Sequence, residues 1–527
     1  MKITTASCGW HRPASYKYSI AYPVDDPSLD TIEAHRMMQR LLADKINSYA
    51  PIDELRLLLV SGAQADGVVT QGLTPLHYAC HRDYLGAAKL LLVRGAKVNA
   101  VDEVGYSPLH LCAEKGNYRL LKLLLEYMAK VCYVDPKDSK KDFPLRDSVD
   151  EPLRMAIRRG HFECARLLLE NGADANAKYF DGPEITHISP LDTHFLRLLL
   201  SYGADPNVHG RDGLTPIMRA CRHREKGIKA IRIFLDNGAD INALASAKKD
   251  LRTALHYAVL SGSIPLITFL LENGAHLNTP SGYDKPSALD LAILKDDVLL
   301  VDFLLTHKAD PNSIHGCFGS SLHIACCGGS ERSKQYEIVE MLLRHGADPN
   351  IVCVSCDVEG SEPSSSAIKS PLVEFLRYSS ENVDKVPDMD LFCLLLSYGG
   401  VIYLRQAQID PRGQLRNLLL LMERGKTECK GGDASYTISQ LMLSLAGHSS
   451  TDTDAMEKMA SSTSVSAETS QKLFAYMKNP RSLRQLCRIS IRSAMAKTSR
   501  LGRFTPAGVD ELPLPCKIKL YLLGGIV

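Results

Sequence analysis

The sequence lacks a surplus of charge. Lys and Arg total 62 against 60 Asp and Glu, a net charge of +2 in 527 residues. That balance leaves no global electrostatic case for a nucleic-acid or membrane partner. There is also no uninterrupted apolar run long enough to span a bilayer. The N-terminal stretch MKITTASCGWHRPASYKYSI has no apolar core of the kind a secretion signal needs. Catalytic signatures are missing as well: no P-loop, no G-x-G-x-x-G after a strand, no H-E-x-x-H and no G-x-S-x-G with triad partners. We therefore assign no catalytic residue, no metal and no cofactor, and read the chain as not an enzyme. The 15 cysteines are an odd number scattered through helix-like segments. They read as small buried hydrophobes in a reducing compartment, not as a disulfide framework. The expected location is the cytoplasm, with the nucleus also open.

What is present is a folded composition, 45% hydrophobic, in a chain far longer than one core usually spans. Such a chain holds several domains or a stack of repeats, and one pattern does recur. A T/S-P-L-H-like tetrapeptide opens a short apolar helix. A second helix ends in LLL and a Gly, and A-D-x-N follows. Openers are Thr74-Pro75-Leu76-His77, Ser107-Pro108-Leu109-His110, Thr215-Pro216-Ile217, Thr253-Ala254-Leu255-His256, Ser320-Ser321-Leu322-His323 and Ser370-Pro371-Leu372. Closers include Gly95-Ala96, Gly172-Ala173-Asp174, Gly203-Ala204-Asp205, Gly238-Ala239-Asp240, Gly274-Ala275 and Gly346-Ala347-Asp348. Thr74 to Ser107 is a step of 33 residues, and so is Gly62 to Gly95.

Each part has a physical role. Ser or Thr caps the first helix, and Pro suits its first turn because the missing N–H has no partner there anyway. Gly takes the left-handed conformation that ends a helix. A unit of this size cannot bury both its faces, so units must stack. Opener, LLL-x-x-G and A-D-x-N at one period resemble the ankyrin repeat. The resemblance implies an all-α solenoid of helix pairs joined by β-hairpin-like turns, with a concave binding face.

We place a loosely ordered leader at 1–28, which holds the sole tryptophan, Trp10. About ten repeats fill 29–426, the first degenerate, with insertions near 129–150 and 351–369. Met128 stands where a closing Gly belongs. The repeat ending at Gly203 is short. Either about two helical turns are missing or Pro190 sits inside a first helix that starts earlier. Residues 427–478 turn polar and Ser/Thr-rich and read as a linker or weakly structured connection.

Three clusters invite a functional reading. His77, His110, His256 and His323 recur at one repeat position. With no convergent partner, they are expected to bond turn backbone and tie adjacent repeats. Cys353 and Cys356 form a lone C-x-x-C, read as part of an incidental loop. Arg219, Arg222, Arg224, Lys226, Lys229 and Arg232 crowd one repeat with only Glu225 opposing. Of these, Arg222, Arg224, Lys226 and Lys229 are candidate substrate contacts for an acidic partner or phosphate, set against the plainer reading of a solvated surface.

The C-terminal segment 479–527 is different. Ser482 followed by Gln485 predicts a helix start. Leu483, Cys487 and Ile491 then share one face, with Leu486 nearby, and Arg484, Arg488 and Arg492 face the other way. Thr505-Pro506 predicts another helix start. Leu512, Pro513, Leu514 and Pro515 must be extended, because a residue before proline is pushed out of the helical region. A last helix over 515–523 places Ile518, Tyr521 and Leu522 on one side. The pattern S-L-x-x-x-C-x-x-x-I from Ser482 resembles the elongin-binding half of a SOCS box. V-x-x-L-P-L-P-x-x-I-x-x-Y-L from Val509 resembles its cullin-binding half.

With the repeats, the chain is identified as a member of the ankyrin repeat and SOCS box family. That resemblance implies a substrate-recognition subunit of a cullin-RING ubiquitin ligase. Leu483, Leu486, Cys487 and Ile491 would contact elongin C, with elongin B behind it. Leu512, Pro513, Leu514, Pro515, Ile518 and Tyr521 would face cullin-5 and its RING subunit. The substrate is a protein the sequence does not name. The alternative is a non-catalytic ankyrin scaffold bridging two proteins without a ubiquitin role.

Overall fold

The computed structural model describes residues 27–132, 150–177, 179, 182–280, 283–315, 318–327, 331–351, 353–354, 368–372, 374–375, 378 and 388–400. Towards the C-terminus it describes 491–492, 495, 506–510, 519 and 522. The leader with Trp10, the 133–149 part of the first insertion and the 427–478 connection lie outside the described residues. The chain divides into two compact units, residues 1–180 and 181–527.

In the first unit the sequence pattern becomes four helix pairs. They are α1 (Pro27–Asn47) with α2 (Ile52–Val60), α3 (Pro75–His81) with α4 (Leu85–Val93), α5 (Pro108–Lys115) with α6 (Tyr118–Glu126), and α7 (Pro152–Arg158) with α8 (Phe162–Glu170). First helices form one layer, α1 on α3, α3 on α5 and α5 on α7, while α2, α4, α6 and α8 form the second. The layers meet through Leu42, Ile46, Leu76, Leu109, Leu124 and Leu168, all fully buried. Thr74 and Ser107 hold extended backbone at the N-caps, with Pro75 and Pro108 as the first helical residues. Met128, in the place of a closing glycine, takes φ +62°. That conformation disfavours a residue with a Cβ, and Met128 is 82% exposed there.

The second unit repeats the plan with α10 (Pro216–Cys221) and α11 (Ile228–Asp236), α12 (Ala254–Ser261) and α13 (Ile264–Glu272), α14 (Ala288–Leu294) and α15 (Val298–Thr306), and α16 (Ser321–Cys326) and α17 (Arg332–Arg344). Here α10, α12, α14 and α16 make the inner layer, and α17 packs on helix Met389–Ser397. The short repeat is resolved by a 3-10 turn, Glu184–Thr186, that stands in for its first helix and precedes α9 (Thr193–Ser201). Pro190 lies in the turn between them. The first element therefore starts earlier than Ser189, at full repeat length, since Pro183 to Gly203 spans 20 residues as Pro75 to Gly95 does; it is a single 3-10 turn, and Pro190 lies after it and not inside a helix.

Among the described residues the fold is all-α apart from one short antiparallel pair, Cys353–Val354 with Ile368–Lys369. It forms the stem of the second insertion. This corrects the expectation of an incidental loop at the C-x-x-C: Cys353 is a buried strand residue facing Lys369, while Cys356 lies outside the described residues. The hairpin-like turns are marked by isolated bridges, Thr70 with Leu73 and His315 with Gly319.

The closing A-D-x-N pattern has a structural purpose that the spacing alone did not show. Asn242 donates from Nδ2 to the Gly274 carbonyl (3.0 Å) and accepts at Oδ1 from the His276 N–H (2.8 Å). Asn207, Asn278 and Asn312 bridge onto their next repeats in the same way. The Asp two positions before the Asn accepts from the Asn N–H, as Asp240 does at 2.8 Å. The result is a ladder of amide side chains, each spanning the closing turn of the following repeat.

Candidate functional site

The recurring histidines are structural. The Nδ1 of His77 accepts from the Thr74 N–H (3.1 Å), one of the donors a helix start leaves without a partner. With Nδ1 accepting, Nε2 carries the proton and donates to the Tyr106 carbonyl of the next repeat (3.1 Å). His110, His256 and His323 bond the N–H of their cap residues in the same way. Desolvation lowers His77, brings His110 to about 3 and His256 to about 4, and so keeps these three rings neutral. Among the described residues no group of His, Cys, Asp and Glu is placed to hold a metal ion. Cys80, Cys112, Cys164, Cys221 and Cys326 are buried. Burial raises the Cys164 thiol to about 11 and Cys221 further still, so these are packing groups, not nucleophiles.

Several repeats lack the histidine, with Arg154, Met218 and Asp290 in its place, and the last of these builds a buried polar cluster. Asp290 occupies the opener position, and its carboxylate is fully buried. The Ser321 hydroxyl donates to Asp290 Oδ1 at 2.6 Å, and His315 Nδ1 lies 2.9 Å from Oδ2. His315 also meets Thr279 Oγ1 through Nε2 at 2.9 Å. Ser, His and Asp are thus brought together, but the serine hydroxyl is committed to the carboxylate and not to the imidazole. No activated nucleophile results. The usual tie is inverted, with the ring on the hairpin and the acceptor at the helix start.

The basic repeat is built differently from its neighbours. The turn from α10 to α11 runs over 222–227, against 116–117 between α5 and α6. A 3-10 turn, Arg224–Gly227, fills it. Arg222, Arg224, Lys226 and Lys229 are all exposed. Arg219 is not part of this set, because it pairs with Asp212 at 2.9 Å. Arg232 lies over the Phe269 ring of α13, 5.5 Å from its centroid.

At the C-terminal end, Ile491 and Arg492 are helical. Ile491 is 37% exposed, so part of its side chain is available to a partner. Arg492 donates from Nη2 to the Leu396 carbonyl, in the last turn of helix Met389–Ser397. A cation at a helix C-terminus meets unpaired carbonyls and the negative end of the dipole. The helix start expected at Pro506 is present, as Pro506–Asp510, with Val509 fully buried. Lys519 and Leu522 are helical too. Lys519 Nζ donates to the Asp510 carbonyl at 2.6 Å, and Leu522 is buried.

Comparison with known proteins agrees with this division. The model for three ankyrin repeats matches residues 46–138 and 191–281, and that for a single ankyrin repeat matches 151–179 and 320–353. The SOCS box model matches residues 479–523. Human Ankyrin repeat and SOCS box protein 16 is 31% identical over 385 residues, 71% of this chain and 73% of that protein. The chain belongs to the ankyrin repeat and SOCS box family. The mouse protein of the same name is 28% identical over 266 residues, 47% of this chain. The matched region spans about half of that relative, 52% of its length. Among solved structures, the human ASB11 ankyrin repeat domain is similar, with 24% identity, 45% of this chain and 98% of that chain covered, and a TM-score of 0.34.

Of the residues read from the sequence as elongin contacts, Ile491 is the one described. Leu483, Leu486 and Cys487 lie outside the described residues, as do Leu512, Pro513, Leu514, Pro515, Ile518 and Tyr521. Sequence reasoning grouped Arg492 with Arg484 and Arg488 on a polar face and missed its bond to Leu396. The partner is 96 positions away, and no local pattern announces it. The asparagine ladder did carry a signal, since the Asn recurs with the closing Gly, but its partner group is a backbone carbonyl in the next repeat.

Proposed function

We propose that this chain is the substrate-recognition subunit of a cullin-RING ubiquitin ligase and makes no bond itself. The observation that carries the reading is the match of a SOCS box to 479–523, downstream of ankyrin repeats on one chain. Leu483, Leu486, Cys487 and Ile491 form the elongin C contact, with elongin B bound behind it. Leu512, Pro513, Leu514 and Pro515, with Ile518 and Tyr521, form the edge that selects cullin-5 and its RING subunit. The ankyrin repeats hold a protein substrate, which is ubiquitinated and degraded. Function is proximity: holding a substrate lysine near a ubiquitin thioester raises the effective concentration of the reacting groups. The partial exposure of Ile491 is compatible with this contact, and the Arg492 bond to the array gives the box a fixed mounting.

Elongins B and C are expected to co-purify with the intact chain. Leu483→Pro should abolish capture while the array keeps its thermal melt, because proline breaks the helix that presents the contact. Retained capture in a folded Leu483→Pro variant sinks the residue assignment. In contrast, a Leu512→Ala/Pro513→Ala variant should keep elongins and lose cullin-5.

A further inference from the structure

The turns from α5 to α6 and from α12 to α13 are two residues each, Gly116-Asn117 and Gly262-Ser263, and uncharged. The turn at 222–227 is longer and charged. The side chains of its cations Arg222, Arg224 and Lys226, and of Lys229 at the start of α11, are exposed and make no side-chain ion pair or hydrogen bond among the described residues. Some surface arginines elsewhere in the array are neutralised locally. Arg166 on α8 meets both Glu163 and Glu170, and Arg344 on α17 meets Glu340. By contrast α11 has no acidic residue in its first turn, and the one carboxylate in the turn before it is the exposed Glu225. Lys226 and Lys229 therefore sit at the positive end of a helix dipole with a single acid against four cations, where a cation is disfavoured.

The turn is also held in shape. Gly227 is buried, and a Cβ there would come within 2.1 Å of the Ala220 carbonyl oxygen, so the chain passes too close to α10 for any other residue. The His223 N–H donates to the same carbonyl at 3.0 Å. Arg224 is held at φ +55°, which an arginine disfavours. These contacts present several cations on a fixed backbone instead of a floppy loop. That lowers the entropy lost when an anion binds.

We propose that this turn, through Arg222, Arg224, Lys226 and Lys229, is the docking site for an acidic polypeptide segment of the recruited protein. The proposal rests on the receptor reading for calling that partner a substrate. Carboxylates arriving here would supply the counter-charge that α11 lacks, and guanidinium groups can grip them with two parallel hydrogen bonds. The site lies at the turn between α10 and α11, the two helices of one repeat.

The test uses the full chain and a short fluorescent peptide of alternating Glu and Ser, with a Gln-for-Glu peptide as control, read by anisotropy. The Glu peptide should bind, and binding should weaken as salt is raised, because exposed charge pairs are screened. Arg224→Glu/Lys226→Glu/Lys229→Glu should lower affinity by about tenfold or more, since each exposed pair is both removed and reversed. Its melt and its capture of elongins should match the parent. Equal binding by the folded variant, or equal binding of the Gln peptide, overturns the proposal. So does tighter binding of a single-stranded oligonucleotide of equal charge, which would assign the turn to nucleic acid. If the reversal variant fails to fold, Lys226→Gln/Lys229→Gln decides, with about a threefold loss expected and no loss overturning the idea. Elongin capture is scored on the same preparations. A parent chain that binds the peptide but captures no elongin defeats the receptor reading and leaves the docking site standing.

Discussion

His110 and His256 show what burial does to a titratable side chain in this array. Both are depressed, to about 3 and about 4, chiefly by desolvation. In the unfolded chain they return to the ordinary value near 6.5, so between these limits the unfolded state binds more protons than the folded one. Stability is then full above the unfolded value and falls as pH drops below it. On acidification to about pH 5 each ring costs roughly 2 kcal/mol. Denaturant midpoints measured across that window should fall steeply for the parent. They should fall less for a His110→Gln/His256→Gln variant, which starts lower at neutral pH. Equal slopes would show that other groups govern acid unfolding. At this scale the sequence was half legible. The histidine column and its role in tying repeats could be read from one recurring position. The Asp290–His315 exchange could not, because an Asp at an opener and a His in a distant hairpin look like two unrelated departures until folding sets them 2.9 Å apart.

Between residue and molecule, the helix starts and stops were legible because the signals are local: Pro75, Pro108, Pro216 and Pro506 each stand first in a helix. The bonds between elements were not. Asn242 illustrates the difference. Its amide spans the closing turn of the next repeat, whereas the Asn273 amide only returns to Phe269 of its own helix at 2.7 Å. Asn242→Ala releases two backbone groups and should cost about 1–2 kcal/mol, the net worth of two partly solvated hydrogen bonds. Asn273→Ala should cost about 0.5 kcal/mol or less, as for an exposed surface change. Chemical denaturation of the two variants checks this, and equal losses would count against a ladder that links repeats. The short repeat follows the same logic. Counting from Ser189 made the repeat ending at Gly203 look short, but the fold starts it at Pro183 and reduces its first helix to Glu184–Thr186.

At the scale of the whole molecule, the two compact units at 1–180 and 181–527 and the neighbour-only packing of a repeat stack predict that damage stays local. Leu109 is fully buried in α5. Leu109→Ala should cost about 2–5 kcal/mol where it lies. Hydrogen–deuterium exchange should then show lost protection across the first unit with the second unchanged. Faster exchange spread evenly over both units would refute a modular array. What the sequence determined by itself was everything carried by short-range chemistry. The caps, the closing glycines, the leucine runs and their period specify ankyrin repeats, and the C-terminal pattern marks the SOCS box. What only the tertiary structure decided were contacts between groups far apart in the chain. These are the amide ladder, the buried Ser321–Asp290–His315 cluster, the Gly227 approach that holds the basic turn, and the Arg492 bond to the Leu396 carbonyl of helix Met389–Ser397. The reason is physical: a cap or a glycine acts on its own neighbours and leaves a mark at fixed spacing. A hydrogen bond to a backbone carbonyl dozens of residues away depends on no particular side chain there, so it writes no second letter into the sequence.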